Sequence, residues 1–353
     1  MEFEIYQWED IESEFNDSTL LIGNGSSVAL DGNFSYKTLK KYAENKESFN
    51  DDVLELFDEF DTDDFELILR LVWHATVINE KLGVRDKKTK RAYENVREAL
   101  INTVRDIHSS YDVVENSLPY LYDFTKKFRT IVSLNYDLIM YWILMYGNRQ
   151  SDGHKFKDCF VNGSFRRDWY ELRNRLKEKE NTLVFYPHGN LCLARNILDE
   201  EIKIEANGVN LLDTILDEWN CEEVIPLFIS EGTKEKKLKA IETSAYLSIV
   251  YHEVLPQILN FYKPPTDKYF DNLVIYGWSL GKHDEHILKQ ILNPMNKKSR
   301  NIKRNRLAIS IYEPTQEKCF DVYKKIKKVL GEEVVMKLYF FDSTDAGCWN
   351  NPK

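Results

Sequence analysis

Residues 20–30 read Leu-Leu-Ile-Gly-Asn-Gly-Ser-Ser-Val-Ala-Leu, an apolar run that breaks at Gly23-Asn24-Gly25 and resumes after two serines. This is how a buried parallel strand passes through a tight turn into a helix. Glycine at the turn admits positive φ and lets another group come close to the backbone. Ser26 or Ser27 is placed to cap the following helix, whose first N–H groups then face the turn. Aligned amides and the helix dipole make such a corner suit a phosphate. Gly-x-Gly after a strand describes a plain turn as well as a nucleotide site. The meaning of the corner therefore depends on what else the chain carries.

The pattern recurs. Arg129–Leu134 is a β-branched run that ends at Asn135-Tyr136-Asp137, with a helix expected from Leu138 to Tyr146. Thr182–Tyr186 ends in Pro187-His188-Gly189-Asn190, and Asn272–Tyr276 ends in Gly277-Trp278-Ser279 before a helix from Asp284 to Leu292. Further strands are expected at Glu223–Ser230, Leu307–Tyr312 and Val334–Phe341, with helices over 237–261 and 315–330. This alternation predicts strands at Leu20, Ile131, Thr182, Val224, Leu273 and Leu307 in one mainly parallel sheet, a doubly wound, Rossmann-like α/β fold. Polar residues at successive strand ends then share one edge, where open parallel sheets bind ligands. Between residues 36 and 126 there is no clear strand. Leu67, Ile68, Leu71, Val72, Ala75 and Ile78 instead recur at helical spacing, which predicts a helical insertion or layer inside a single domain spanning 1–353.

Composition narrows the function. A chain of 353 residues with 43% hydrophobic and 30% charged residues is globular rather than disordered. A net charge of −10 argues against nucleic-acid binding. The strongly basic stretch Lys297–Arg306 reads as a solvated loop. The opening Met-Glu-Phe-Glu-Ile has no signal-peptide character, and the apolar stretch 138–146 is too short to cross a bilayer, so the expectation is a cytoplasmic protein without membrane contact. Cys159, Cys192, Cys221, Cys319 and Cys348 are scattered and form no Cys-x-x-Cys pair, so neither structural zinc nor a disulfide framework is expected. His74 and His108 lie on helix flanks and read as packed or surface residues. His188 differs, standing at a strand end between a proline and a glycine. Lys234, just after a strand, is a candidate to offset phosphate charge.

Taken together, four corners resemble the sirtuin-like NAD-binding family. Gly23-Asn24-Gly25-Ser26-Ser27 is similar to its Gly-Ala-Gly-x-Ser turn, with Asn24 in place of alanine. Asn135-Tyr136-Asp137 resembles its Asn-x-Asp motif. His188-Gly189 resembles the His-Gly that carries its catalytic histidine. Gly277-Trp278-Ser279 with Asp284 is similar to the late Gly-x-Ser…Asp motif of the bacterial members. The chain lacks the family deacetylases' Asp-Phe-Arg, having Phe34-Ser35-Tyr36 near that place, and it lacks their four-cysteine zinc module. The resemblance therefore implies the bacterial branch that hydrolyses NAD, often in anti-phage defence. It also implies a homo-oligomer and control by a partner protein or a phage product.

In that reading the bond between nicotinamide and ribose breaks. Nicotinamide leaves neutral, so no general acid is needed, and an oxocarbenium-like sugar must be stabilised. Asn135 would hold ribose hydroxyls or water, Asp137 would anchor the loop or favour the cationic sugar, and His188 would accept a proton near neutral pH. Gly23, Asn24 and Gly25, with Ser26 and Ser27, would cradle the pyrophosphate; Gly189, Gly277, Ser279 and Asp284 would complete the NAD site. A sensor that binds NAD or ADP-ribose without turnover is the alternative, and a protein deacylase a weaker one.

Overall fold

A computed structural model of the chain describes residues 2–35, 38–173, 180–205, 210–221, 223–230, 232–259, 272–292, 306–330 and 337–353. The basic stretch 297–305 lies outside the described residues. In chain order the strands are β1 (Ile5–Tyr6), β2 (Thr19–Ile22), β3 (Thr130–Ser133), β4 (His154–Lys157), β5 (Phe160–Val161), β6 (Ser164–Phe165) and β7 (Glu180–Phe185). They continue as β8 (Gly189–Asn196), β9 (Glu201–Lys203), β10 (Val224–Phe228), β11 (Leu273–Tyr276), β12 (Arg306–Ile311) and β13 (Lys337–Asp342).

The central sheet has eight strands in the order β1-β13-β12-β11-β2-β3-β7-β4, every neighbouring pair parallel. Helices flank it, giving the Rossmann-like α/β fold that the strand–corner–helix repeat predicts. β2, β3 and β11 are buried at every position, which is why they read as unbroken apolar runs rather than alternating ones. From β2 the chain builds outward on one flank to β3; it later returns to β2's other flank as β11 and continues to β12. The connections leaving β2 and β11 thus run in opposite directions, so the topological switch point lies between these two neighbours. Register puts Ile22 beside both Tyr276 and Ser133, and Val132 beside Phe185. The corners that follow these strands therefore stand side by side.

Two expectations are corrected. Val224–Phe228 is not in the central sheet: β10 pairs antiparallel with β8 at the edge of a separate sheet ordered β10-β8-β9. Pro226 sits in its middle and has no N–H to donate, which excludes a central position. The corner at His188-Gly189 leads directly into β8. The helix expected over 237–261 is broken as well, running from Lys234 to Glu242 and restarting where the Ser244 side chain accepts from Leu247 N–H. Its last residues lie outside those described.

The chain between β2 and β3 is helical. Its longest helices, Phe65–Lys81 and Lys87–Ile107, start at Asp64 and Asp86, whose carboxylates accept from first-turn amides. Leu69, Leu100 and Ile101 pack against Trp219, Val224 and Ile225, so this layer rests on the small sheet. Among the described residues, no helix is long and apolar enough to cross a membrane.

Candidate active site

At the carboxyl edge of the central sheet lies a cleft of about 450 Å³. Its wall includes Gly23, Asn24, Gly25, Asn135, Asp137, His188, Gly277, Ser279 and Asp284, residues that the sequence places in four separate corners. Ser26, Ser27 and Gly189 do not line it. The helix after the first corner is only Gly25–Val28, and both serines lie inside it, buried, instead of capping it. Ser26 Oγ donates to the Gly23 carbonyl at 2.8 Å, and Ser27 Oγ donates to Asp137 Oδ2 at 2.5 Å.

Four of the corner's amides are spent inside the protein. Gly23 N–H donates to the Tyr276 carbonyl (2.9 Å), Gly25 N–H to Gly277 (2.7 Å), Ser26 N–H to Gly23 (3.0 Å) and Ser27 N–H to Asn24 (3.0 Å). The glycines are explained by the approach of two backbones: a Cβ on Gly23 would stand 2.6 Å from Trp278 Cβ, and one on Gly277 would stand 2.4 Å from Ser26 N. The C-terminal tail, which reads as a polar extension, supports the corner from below. Buried Trp349 donates from Nε1 to the Ser26 carbonyl at 2.8 Å.

Asn135 binds the second corner to the first. Its Nδ2 is 2.9 Å from Ser27 Oγ, 3.1 Å from Ser26 Oγ and 3.2 Å from the Gly23 carbonyl. A polar chain therefore runs from the Asn135 amide through the Ser27 hydroxyl to Asp137. Asp137 Oδ1 also accepts from Ile139 N–H at 3.0 Å. Burial pushes its carboxyl up to about 6 against the pull of these hydrogen bonds. Leu138 N–H donates to His108 Nε2 at 2.9 Å, while His108 Nδ1 lies 2.8 Å from the Ser109 carbonyl. His108 thus holds the loop from the helical layer, a role its helix-flank position does not suggest.

His188 occupies the turn between β7 and β8, 2% exposed. Gly189 makes this turn possible: its φ is +75°, and a Cβ there would stand 2.2 Å from the Leu227 carbonyl oxygen. The His188 ring bonds to the Leu134 carbonyl. Among the described residues its Nε2 has no hydrogen-bond partner, and it lies 3.6 Å from Asp284 Oδ1. The same Asp284 oxygen is 2.8 Å from Lys237 Nζ. Burial first, then the Lys237 charge, pushes His188 down to about 3, so the ring is neutral at physiological pH rather than half-protonated near 6.5. Burial pushes the Asp284 carboxyl up, but His188 and Lys237 together hold it below its ordinary value.

Among the described residues, Lys237 rather than Lys234 is the cation on the cleft wall. The signal was in the helix: Lys237 shares the buried face with Ile241, four residues on. His286 was also missed. It is 2% exposed, its ring centroid is 5.9 Å from that of His188, and its Nε2 likewise has no hydrogen-bond partner among the described residues. Among the described residues there is no cluster of three or more His, Cys, Asp or Glu suited to a metal ion.

The buried histidines set the acid stability. Burial holds His108 and His286 down to about 4 and His188 to about 3, against an ordinary value of 6.5. The unfolded chain takes up protons at these groups near 6.5 while the folded one does not, so their stabilisation is complete above that pH and lost as pH falls towards 4. Asp137, raised to about 6, works the other way between about 4 and 6, one group against three. The unfolding temperature is expected to fall steadily as pH drops from about 6.5 to 4.5; a scan series showing it flat or rising would refute this balance.

No curated protein matches the chain. A family model does, over residues 20–349, the span from the first corner to the tryptophan beneath it. The chain belongs to that family, described as a domain of unknown function, DUF4917.

Proposed function

We propose that this cleft hydrolyses NAD to nicotinamide and ADP-ribose. The observation that carries the reading is His188, a buried, neutral imidazole with a free Nε2 beside the switch point of a parallel sheet. A neutral imidazole is what the reaction asks for. As the C–N bond breaks, its electron pair leaves with nicotinamide; water adds to the anomeric carbon, and its proton passes to His188 Nε2. Asp284 stands ready to stabilise the imidazolium so formed. Asp137, held by Ser27 and the Ile139 amide, supplies negative charge near the cationic sugar, and Lys237 offsets the pyrophosphate where the corner's amides do not. Unrestrained turnover would deplete the cell's own NAD. The proposal therefore includes restraint by self-association, a partner protein or a phage product, as the resemblance to bacterial defence proteins implies.

Binding without turnover is the second reading, and one observation favours it. The Asn135 amide nitrogen is spent on the corner rather than offered to ribose or water. Incubating the purified protein with NAD separates the two. Equal amounts of nicotinamide and ADP-ribose on chromatography are expected. Intact NAD with heat of binding in calorimetry would put the sensor reading in front, and intact NAD without binding would remove both.

A further inference from the structure

We propose that a second pocket, walled by a different face of the Lys234–Glu242 helix from the one that meets the cleft, binds a phosphate monoester of mononucleotide size through Arg70 and Arg195. This pocket, of about 230 Å³, lies between helix Phe65–Lys81, helix Lys234–Glu242 and β10. Arg70 and Arg195 both line it. Arg195, on β8, is 5% exposed and is poorly matched: Nη1 lies 3.3 Å from the Thr243 carbonyl and 3.5 Å from Asp199 Oδ1. Arg70 is half-buried, and no hydrogen bond or ion pair to it is found among the described residues. Its charge acts directly against that of Arg195. Like charges brought together in a partly desolvated space are costly unless an anion joins them.

Asp199 pairs with Arg195 at 3.5 Å, but among the described residues no carboxylate pairs with Arg70. Asp64 accepts from the Glu66 and Leu67 amides, Glu201 from those of Ala245 and Tyr246, and Asp61 pairs with Lys236. Glu66 lines the space too, with both carboxylate oxygens buried from solvent. Paired guanidinium forks match the oxygens of a phosphate, with Lys239 at the rim adding charge. Phe60, Leu67, Leu227 and Leu247 give the rest of the pocket an apolar wall, which fits a flat, weakly polar group such as a base. Because one helix walls both spaces, a ligand here bears on the element that carries Lys237 into the cleft.

The test is calorimetric titration with AMP, which does not depend on NAD hydrolysis. AMP is expected to bind, adenosine to bind far more weakly, and Arg70→Ala to weaken the AMP phase by on the order of tenfold or more. Among the described residues Arg70 has no hydrogen bond or ion pair to lose, so this variant is expected to fold; Arg195→Ala, which removes a buried side chain, serves only as a second arm if it is soluble. No AMP binding at millimolar concentration overturns the proposal. So does equal affinity in Arg70→Ala, the result if AMP enters only the cleft.

Discussion

Replacing His188 by alanine is expected to slow nicotinamide release by on the order of a hundredfold or more while the protein remains folded. The ring is bonded to the Leu134 backbone, and among the described residues Nε2 has no hydrogen-bond partner. Its removal therefore takes away one hydrogen bond and leaves a small cavity, a loss of about 1–3 kcal/mol in stability. His188→Asn sharpens the test, because an amide can keep a donor near Leu134 but offers no base where Nε2 was. Both variants should lower kcat with NAD affinity largely kept, as expected for a group that works in the transition state. Since burial holds the wild-type imidazole down to about 3, kcat/KM should not break at the ordinary 6.5 of histidine. A break near 6 would belong to Asp137 and should vanish in Asp137→Asn. Undiminished hydrolysis by soluble His188→Ala would show that another group accepts the proton.

The central sheet was legible for a physical reason. Strands buried on both faces, such as Leu20-Leu21-Ile22 and Leu273-Val274-Ile275, must be apolar throughout, and they end where the chain turns into solvent. Edges carry less signal. β4 alternates buried His154 and Phe156 with half-exposed lysines, and β1 is two residues long. β10 was misplaced although Pro226 already argued for an edge. β8 begins inside the polar corner Pro187-His188-Gly189-Asn190, where the sequence signals a turn rather than a strand.

Within the site, the sequence identified the corners but not the direction of their side chains. Ser26 and Ser27 look like phosphate donors in one dimension. A helix turns each residue by about 100° from the last, and in this short one both hydroxyls turn into the protein. His108, Lys237 and His286 are brought in from distant elements, and local spacing does not encode which strand end such residues will meet. Lys237 was nevertheless within reach, since a lysine on the same helical face as a buried isoleucine either snorkels or finds a carboxylate, and here it finds Asp284.

Valine at Gly25 is expected to destabilise the whole fold rather than merely to weaken a ligand. A phosphate cradle would predict the reverse, a stable protein with a blocked site. A Cβ at Gly25 would stand 2.7 Å from the Gly277 carbonyl oxygen and 3.0 Å from Gly277 Cα, and these are backbone atoms that cannot swing aside. Gly277 itself is fixed at a φ of +66°. Moving it would break the 2.7 Å bond from Gly25 N–H and shift Trp278 and Ser279 on the cleft wall. One lost buried hydrogen bond and the strain of overpacking together come to about 2–5 kcal/mol, a large share of the roughly 5–15 kcal/mol that keeps a protein folded. Gly25→Val should therefore be insoluble or unfold many degrees below the wild type. Gly281→Ala is the control: it lies on the same cleft wall, has no atom within 4 Å of its added Cβ, and should keep the wild-type unfolding temperature. If Gly25→Val matched the wild type in thermal unfolding and lost only NAD affinity, the glycines would be there for the ligand, and the contact between the β2 and β11 corners would not be what holds this edge of the sheet together.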